Sequence, residues 1–195
     1  MAVRAFAWVA EAETRPWDAA AEFAGVWLRR QASTHGELPG AVTPTIQDYG
    51  IPDVDRLGWM TSRRSGRRRV PDGRLGVLAY VPDWEDLEFA TRLARGGSLV
   101  VVEGFGTKVE GWARWHEAID LTTGQQSEAL PGDLVDLVEQ LRFYGNNGFT
   151  RGFGRDQALR HMRSVEPVDP ELILGALLAA GQAASGVKRL AGLIE

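Results

Sequence analysis

Two short, valine-rich apolar runs, GVLAYV (Gly76–Val81) and SLVVVE (Ser98–Glu103), stand out in a chain whose other apolar positions mostly recur at helical spacing. Runs of that length and composition suit strands buried on both faces. Between them Asp83 can cap a helix over Trp84–Arg95, which Gly96 and Gly97 then end. A crossover of this length makes the flanking strands parallel. A second crossover helix over Lys108–Glu117 and a third strand over Ala118–Leu121 complete a βαβαβ unit. The fold class that follows is α/β: a small, mainly parallel, Rossmann-like sheet with helices on its faces. The three strands are expected to be neighbours, with ligands gathering outside their carboxyl ends.

Upstream, Pro16 opens a helix reaching Gln31, with Trp17, Ala20, Ala21, Ala24, Trp27 and Leu28 on one face. Residues 33–40 read as a loop, and Ala41–Ile46 as a short edge strand limited by Pro44. Ile51–Met60 fits no single element. Downstream, Pro131–Asp133 introduce a helix with Leu134, Leu137, Val138 and Leu141 on one side. Gly145–Gly154 holds four glycines in ten residues and reads as irregular. Helices follow over 155–165, 170–180 and 184–194. This divides the chain into an α/β core domain, 1–144, and a helical C-terminal extension, 145–195.

The chain has no cysteine, which excludes disulfides and thiolate metal sites. No apolar run approaches the roughly 18 residues needed to span a bilayer. The N-terminal segment lacks a signal-peptide pattern, so a cytoplasmic protein without membrane contact is expected. The net charge of −4 argues against an indiscriminate nucleic-acid coat. Residues 63–74 nevertheless carry Arg63, Arg64, Arg67, Arg68, Arg69 and Arg74 against Asp72 alone. Such a loop has the charge to neutralise phosphates of DNA or RNA. A solvated surface loop and a contact for an acidic protein partner are the other readings.

A second arginine-rich stretch, residues 142–163, interleaves Arg142, Arg151, Arg155, Arg160 and Arg163 with Phe143, Tyr144, Phe149 and Phe153. Rings that stack bases beside guanidinium groups that hold phosphates suit a flexible single strand. The alternative is a loop that wraps the core and buries its phenylalanines. Residues 173–192 fit a helix-turn-helix template that would offer Gln182, Ser185, Lys188 and Arg189 to a groove. They fit a plain antiparallel helical pair equally well.

The corner Glu103-Gly104-Phe105-Gly106-Thr107 follows the second valine-rich strand. Glycines there let a backbone approach a ligand, and the next helix offers free N–H groups. A dinucleotide pattern would need a third glycine at position 109, which is Val109, and no phosphate-loop GKS or GKT follows. Val100–Thr107 with Ala118–Thr122 resembles the first two motifs of class I S-adenosylmethionine-dependent methyltransferases. The resemblance implies that Gly104 and Gly106 form a cofactor turn, flanked by Glu103 and Thr107, and that Asp120 binds ribose hydroxyls. In that family the motif opens the sheet, whereas here a strand–helix unit precedes it. VVVEG also resembles a strand end of the nucleotidyl-transfer fold of primases and topoisomerases, whose downstream DxD is missing here. The bland reading of Glu103 is a solvated strand-end acid. His35, His116 and His161 have no metal-ligand spacing, and no GxSxG elbow occurs, so neither a metal site nor a catalytic group is assigned. The leading expectation is a nucleic-acid-associated binding protein. The alternatives are a nucleotide- or S-adenosylmethionine-binding enzyme using the 103–107 corner, and a protein-interaction module.

Overall fold

A computed structural model describes residues 3–12, 14–47, 49–65, 70–164 and 168–194. The chain divides into two compact units, Met1–Thr107 with Ala118–Gln126, and Lys108–Glu117 with Ser127–Glu195. The expected boundary at residue 144 falls inside the second unit, and the segment expected as the second crossover belongs to that unit too.

The first unit is α/β. In chain order it runs β1 (Ala5–Val9), α1 (Trp17–His35), β2 (Leu38–Val42), α2 (Pro52–Asp55), β3 (Trp59–Thr61), β4 (Leu75–Tyr80), α3 (Trp84–Leu93) and β5 (Ser98–Val102). The chain then passes through α4 (Glu110–Trp115) of the second unit and returns as β6 (Ile119–Asp120) and β7 (Gln125–Gln126). The seven strands form one sheet in the order β3-β2-β4-β5-β1-β6-β7, with every pair parallel except β6 and β7.

The two valine-rich strands lie side by side and parallel as β4 and β5, with Tyr80 opposite Val102. The third expected strand is not their neighbour. β1 enters between β5 and β6 and hydrogen-bonds to both, so that Val9 lies opposite Val102 and Trp8 opposite Asp120. The expected edge strand at 41–46 begins earlier, at Leu38, and is interior, paired on both sides by β3 and β4.

Alternation along each strand divides two cores. Ala7, Val9, Ala41, Leu78, Tyr80, Val100 and Val102 meet Ala20, Ala21, Ala24 and Leu28 of α1 and Val54 of α2. α3 packs on β4 with Leu87 and Ala90 buried outside that cluster. Asp83 caps α3, its Oδ1 accepting from the Asp86 N–H at 2.8 Å. Gly36, at φ 65°, stops α1 four residues past the expected end.

The amino edge of the sheet is locked by a buried acid. Glu37 has no exposed side-chain surface and its Oε1 accepts from Arg4 Nη2 at 2.5 Å and from Ser98 Oγ at 3.1 Å. Those three residues stand at the starts of β2, β1 and β5, so one carboxylate ties three strand ends together. The carboxyl edge carries the cavity described below.

The second unit is helical. Its remaining helices are α5 (Gly132–Tyr144), α6 (Phe153–Ser164), α7 (Pro170–Ala179) and α8 (Ala184–Ile194). Asp169 caps α7, and Ile173, Leu174, Leu177 and Leu190 supply its buried bulk. α4 crosses α7 at glycine contacts: a Cβ on Gly111 would sit 1.8 Å from the Leu172 carbonyl oxygen. Since backbone, not a mobile side chain, blocks that space, Gly111→Ala is expected to destabilise by about 1–3 kcal/mol or more. Gly192 of α8 has nothing within 4 Å of its would-be Cβ. Gly192→Ala is therefore expected to be neutral or stabilising by up to about 1 kcal/mol. Urea denaturation of both variants checks the pair, and equal effects would refute the close crossing.

Candidate functional site

Parallel strands all end at one edge, and there the first unit concentrates its aromatic and polar side chains. Phe105, Trp17, Tyr80 and Tyr49 form a row of edge-to-face contacts along it, with centroid separations of 5.0, 6.4 and 5.4 Å. Tyr80 ends β4 and is buried on the α1 face. Burial, and then the nearby Tyr49, Asp18 and Asp55, push its phenol up from the usual 10 to about 12. Val81 follows at φ 49°, a conformation a β-branched residue rarely adopts. Its Cγ1 occupies the space a side chain on Gly104 would need, 2.2 Å from the would-be Cβ. Gly104 is therefore a packing requirement.

Glu103 is not a solvated strand-end acid. It is 5% exposed, and its Oε2 accepts from the Glu11 N–H at 2.7 Å. The loop between β1 and α1 thus closes on a carboxylate supplied by β5. Arg15 Nη1 donates to the Ala10 carbonyl at 2.6 Å and braces the same loop. Beside it lies a cavity of about 310 Å³, lined by Ala10, Ala12, Ala20, Trp17 and Phe105 among others. Glu11 and Arg15 also line it.

The 103–107 corner is a tight turn closed by a bridge between Gly104 and Thr107, with Phe105 at its tip, 71% exposed. Neither Gly104 nor Gly106 adopts a positive φ. Thr107 is buried. Asp120 lies at the carboxyl end of β6, as expected, but β1 separates it from β5. Its Oδ1 accepts from the Thr122 N–H and hydroxyl, at 2.8 and 2.7 Å, and its Oδ2 from the Thr123 hydroxyl. The acid shapes the β6–β7 hairpin.

The arginine loop is partly neutralised from within. Arg63 Nη2 lies 2.5 Å from Glu85 Oε2, its Nε lies 3.5 Å from Asp86 Oδ1, and Arg64 Nη2 lies 4.0 Å from Asp83 Oδ2. Burial and the Asp83 carboxylate raise the Asp86 pKa, against Arg63. Arg74 is exposed. Arg67, Arg68 and Arg69 lie outside the described residues.

The second aromatic–arginine stretch divides. Phe149 is fully buried at φ 56°, its ring beneath Gly145, and so is no stacking platform in this structure. Phe153 is 71% and Phe143 73% exposed. Both rings meet Tyr144 edge-on, at 6.2 and 5.4 Å, and Tyr144 stacks on His161 at 5.6 Å. Arg142 pairs with Glu139, and Arg155 lies 3.5 Å from Asp156. Arg151, Arg160 and Arg163 are exposed and make no ion pair among the described residues. On α6, Arg160 lies two turns beyond Phe153 on the same face.

Of the four groove readers expected from sequence, Ser185 and Lys188 are exposed, while Gln182 and Arg189 serve the fold. Gln182 Nε2 donates to the Gly145 carbonyl at 3.0 Å, and Arg189 donates to the Gly148 carbonyl. Both hold the turn that buries Phe149. His116 packs edge-on against Trp112, and burial pushes its imidazole down to about 4. Among the described residues no group of His, Asp and Glu could hold a metal ion, and no helix is long and apolar enough to cross a membrane. No protein-family model, curated protein or solved structure matches the chain.

Two outcomes test this geometry. Glu103→Ala removes the loop's anchor and is expected to cost about 1–3 kcal/mol, with Glu103→Gln, which keeps an acceptor, costing less. Guanidinium melts that fail to separate the two would refute the clamp. For Tyr80 the folded state holds its proton to higher pH than the unfolded state. Its contribution is complete below pH 10 and is lost as pH rises through about 12. Stability measured across that window should fall less steeply in Tyr80→Phe than in the parent.

Proposed function

We propose that this protein binds single-stranded nucleic acid, and that the face shared by α5 and α6 is the principal contact. The observation that carries the reading is the pair of highly exposed rings, Phe143 and Phe153, held edge-on by Tyr144 beside exposed Arg151 and Arg160. Exposed rings prepositioned by another ring suit base stacking, which tolerates any sequence because every base has a π-face. Arginines on the same face supply the phosphate contacts that give affinity its salt dependence. The buried Phe149 takes the part of a scaffold, since it fixes the turn from which α6 starts.

The 63–74 loop enters this reading as a secondary contact. Arg63 and Arg64 already face the acids that open α3, which lowers the charge they can offer a phosphate. Arg74 is exposed, and Arg67, Arg68 and Arg69 complete the candidate set.

Fluorescence anisotropy with labelled single-stranded DNA and RNA at two salt concentrations tests the proposal. Phe143→Ala and Phe153→Ala should each lose about 1–3 kcal/mol of binding. Their melting temperatures should barely move, because both side chains are exposed. Arg151→Ala with Arg160→Ala should flatten the slope of log affinity against log salt by up to about 1.4. Absence of retention on either nucleic acid at low salt overturns the reading.

A further inference from the structure

The first unit carries an independent feature at the carboxyl end of β1. The chain leaving β1 travels along the sheet toward β2, and the chain leaving β5 travels the other way, toward β6. Neighbouring strands whose connections depart in opposite directions leave a crevice between their ends. Here the crevice is the cavity of about 310 Å³ beside the β1–α1 loop, within the size range that holds small molecules.

Its walls select for shape. The Trp17 and Phe105 rings stand 5.0 Å apart at 80°, so a flat group can stack on one and present its edge to the other. Ala10, Ala12 and Ala20 bring little bulk to the lining. Phe105 stands at the tip of its turn, 71% exposed, with its ring set edge-to-face against Trp17.

Its charges select against a phosphate. Among the described residues, the ionised side chains in the lining are Glu11 and Arg15, one of each sign, so no excess of positive charge is on offer. The loop N–H that would cradle an anion, that of Glu11, is bonded to the Glu103 carboxylate. Asp18 already places a negative charge on the first turn of α1. An incoming phosphate would meet acids where a phosphate loop offers amides.

We propose that this cavity binds an uncharged planar heterocycle of the nucleoside class, its ring held by Trp17 and Phe105. Arg15, Thr14 and Glu11 at the rim provide donors and acceptors suited to ring edges and sugar hydroxyls. This site does not rest on the nucleic-acid reading, since it involves none of the α5–α6 residues.

The test is calorimetric titration of the full chain with adenosine, guanosine, cytidine and uridine, and with their 5′-monophosphates. At least one nucleoside should bind, and its monophosphate should bind several-fold more weakly. Phe105→Ala removes an exposed side chain and should cut nucleoside affinity about tenfold or more. Ala12→Leu fills the cavity from the loop and should abolish binding, with the melting temperature kept as a control on folding. Phe153→Ala should leave nucleoside binding unchanged, which separates this site from the nucleic-acid face. The proposal is overturned if no nucleoside gives heat or a melting shift at millimolar concentration. It is also overturned if binding survives both cavity variants, or if the monophosphates bind more tightly than the nucleosides.

Discussion

β1 is the strand on which the first unit closes. It is the first element of the chain, yet it hydrogen-bonds between β5 and β6. Occupying that slot forces the next connection to carry the chain past β5 and β4 to β2, the work of the long helix α1. α1 in turn lays Ala20, Ala21, Ala24 and Leu28 across the sheet, where small side chains let a helix sit close to β4 and β5. The same slot sets Val9 level with Val102, so that Glu103 emerges beside the loop leaving β1 and can fasten it. The cavity, the clamp and the aromatic row are all consequences of where one five-residue strand is inserted.

The two edges of that sheet illustrate opposite uses of a carboxylate. At the amino edge Glu37 is fully enclosed and its charge is met by Arg4. Burial there is tolerable only because a partner and a hydroxyl are in place, and loss of either leaves an uncompensated group. At the carboxyl edge Glu103 meets a backbone N–H instead. A charge-assisted bond from a carboxylate to a loop amide fixes that loop directly to the strand end. One carboxylate ties strand starts together, and the other fastens a loop at the strand ends.

What the sequence showed and what it hid follow from the same physics. β4, β5 and their helix α3 were legible because double burial demands continuous valine-rich runs and the cap demands an aspartate at the right place. β1 was not, since AFAWV is short, alternates weakly and lies among charged residues that resemble a frayed terminus. β2 was misplaced because Pro39 and Gly40 are poor strand formers, and only pairing on both sides makes LPGAV a strand. The two phenylalanines four residues apart, 149 and 153, could not be told apart by composition. Their different fates depend on Gln182 and Arg189, far along the chain, which pin the Gly145–Gly148 turn just before Phe149. Likewise the charge of the 63–74 loop was plain, whereas its neutralisation by the acids that open α3 needed the fold to bring them together.

Phe105, Phe143 and Phe153 share a property that exposure alone does not convey. Each is more than 70% exposed, and each rests edge-on against another ring. An isolated surface phenylalanine samples several rotamers, and a ligand that stacks on it must first freeze one. A ring held in edge-to-face contact with another has surrendered part of that freedom on folding, while most of its surface stays open to water. The ordering cost has then been met before a ligand arrives, and a stacking contact yields more of its energy as affinity. Trp17 does this for Phe105 at the sheet edge, and Tyr144 does it for both Phe143 and Phe153 on the helical unit. Tyr144 is itself stacked on His161, so the support is not a loose one. Surface rings held in this way are placed to receive flat partners, and the two surfaces differ in what surrounds them. In the described lining of the cavity Glu11 and Arg15 bring one charge of each sign, whereas exposed arginines accompany Phe153 on the helical unit, the setting that the proposed base stacking would require.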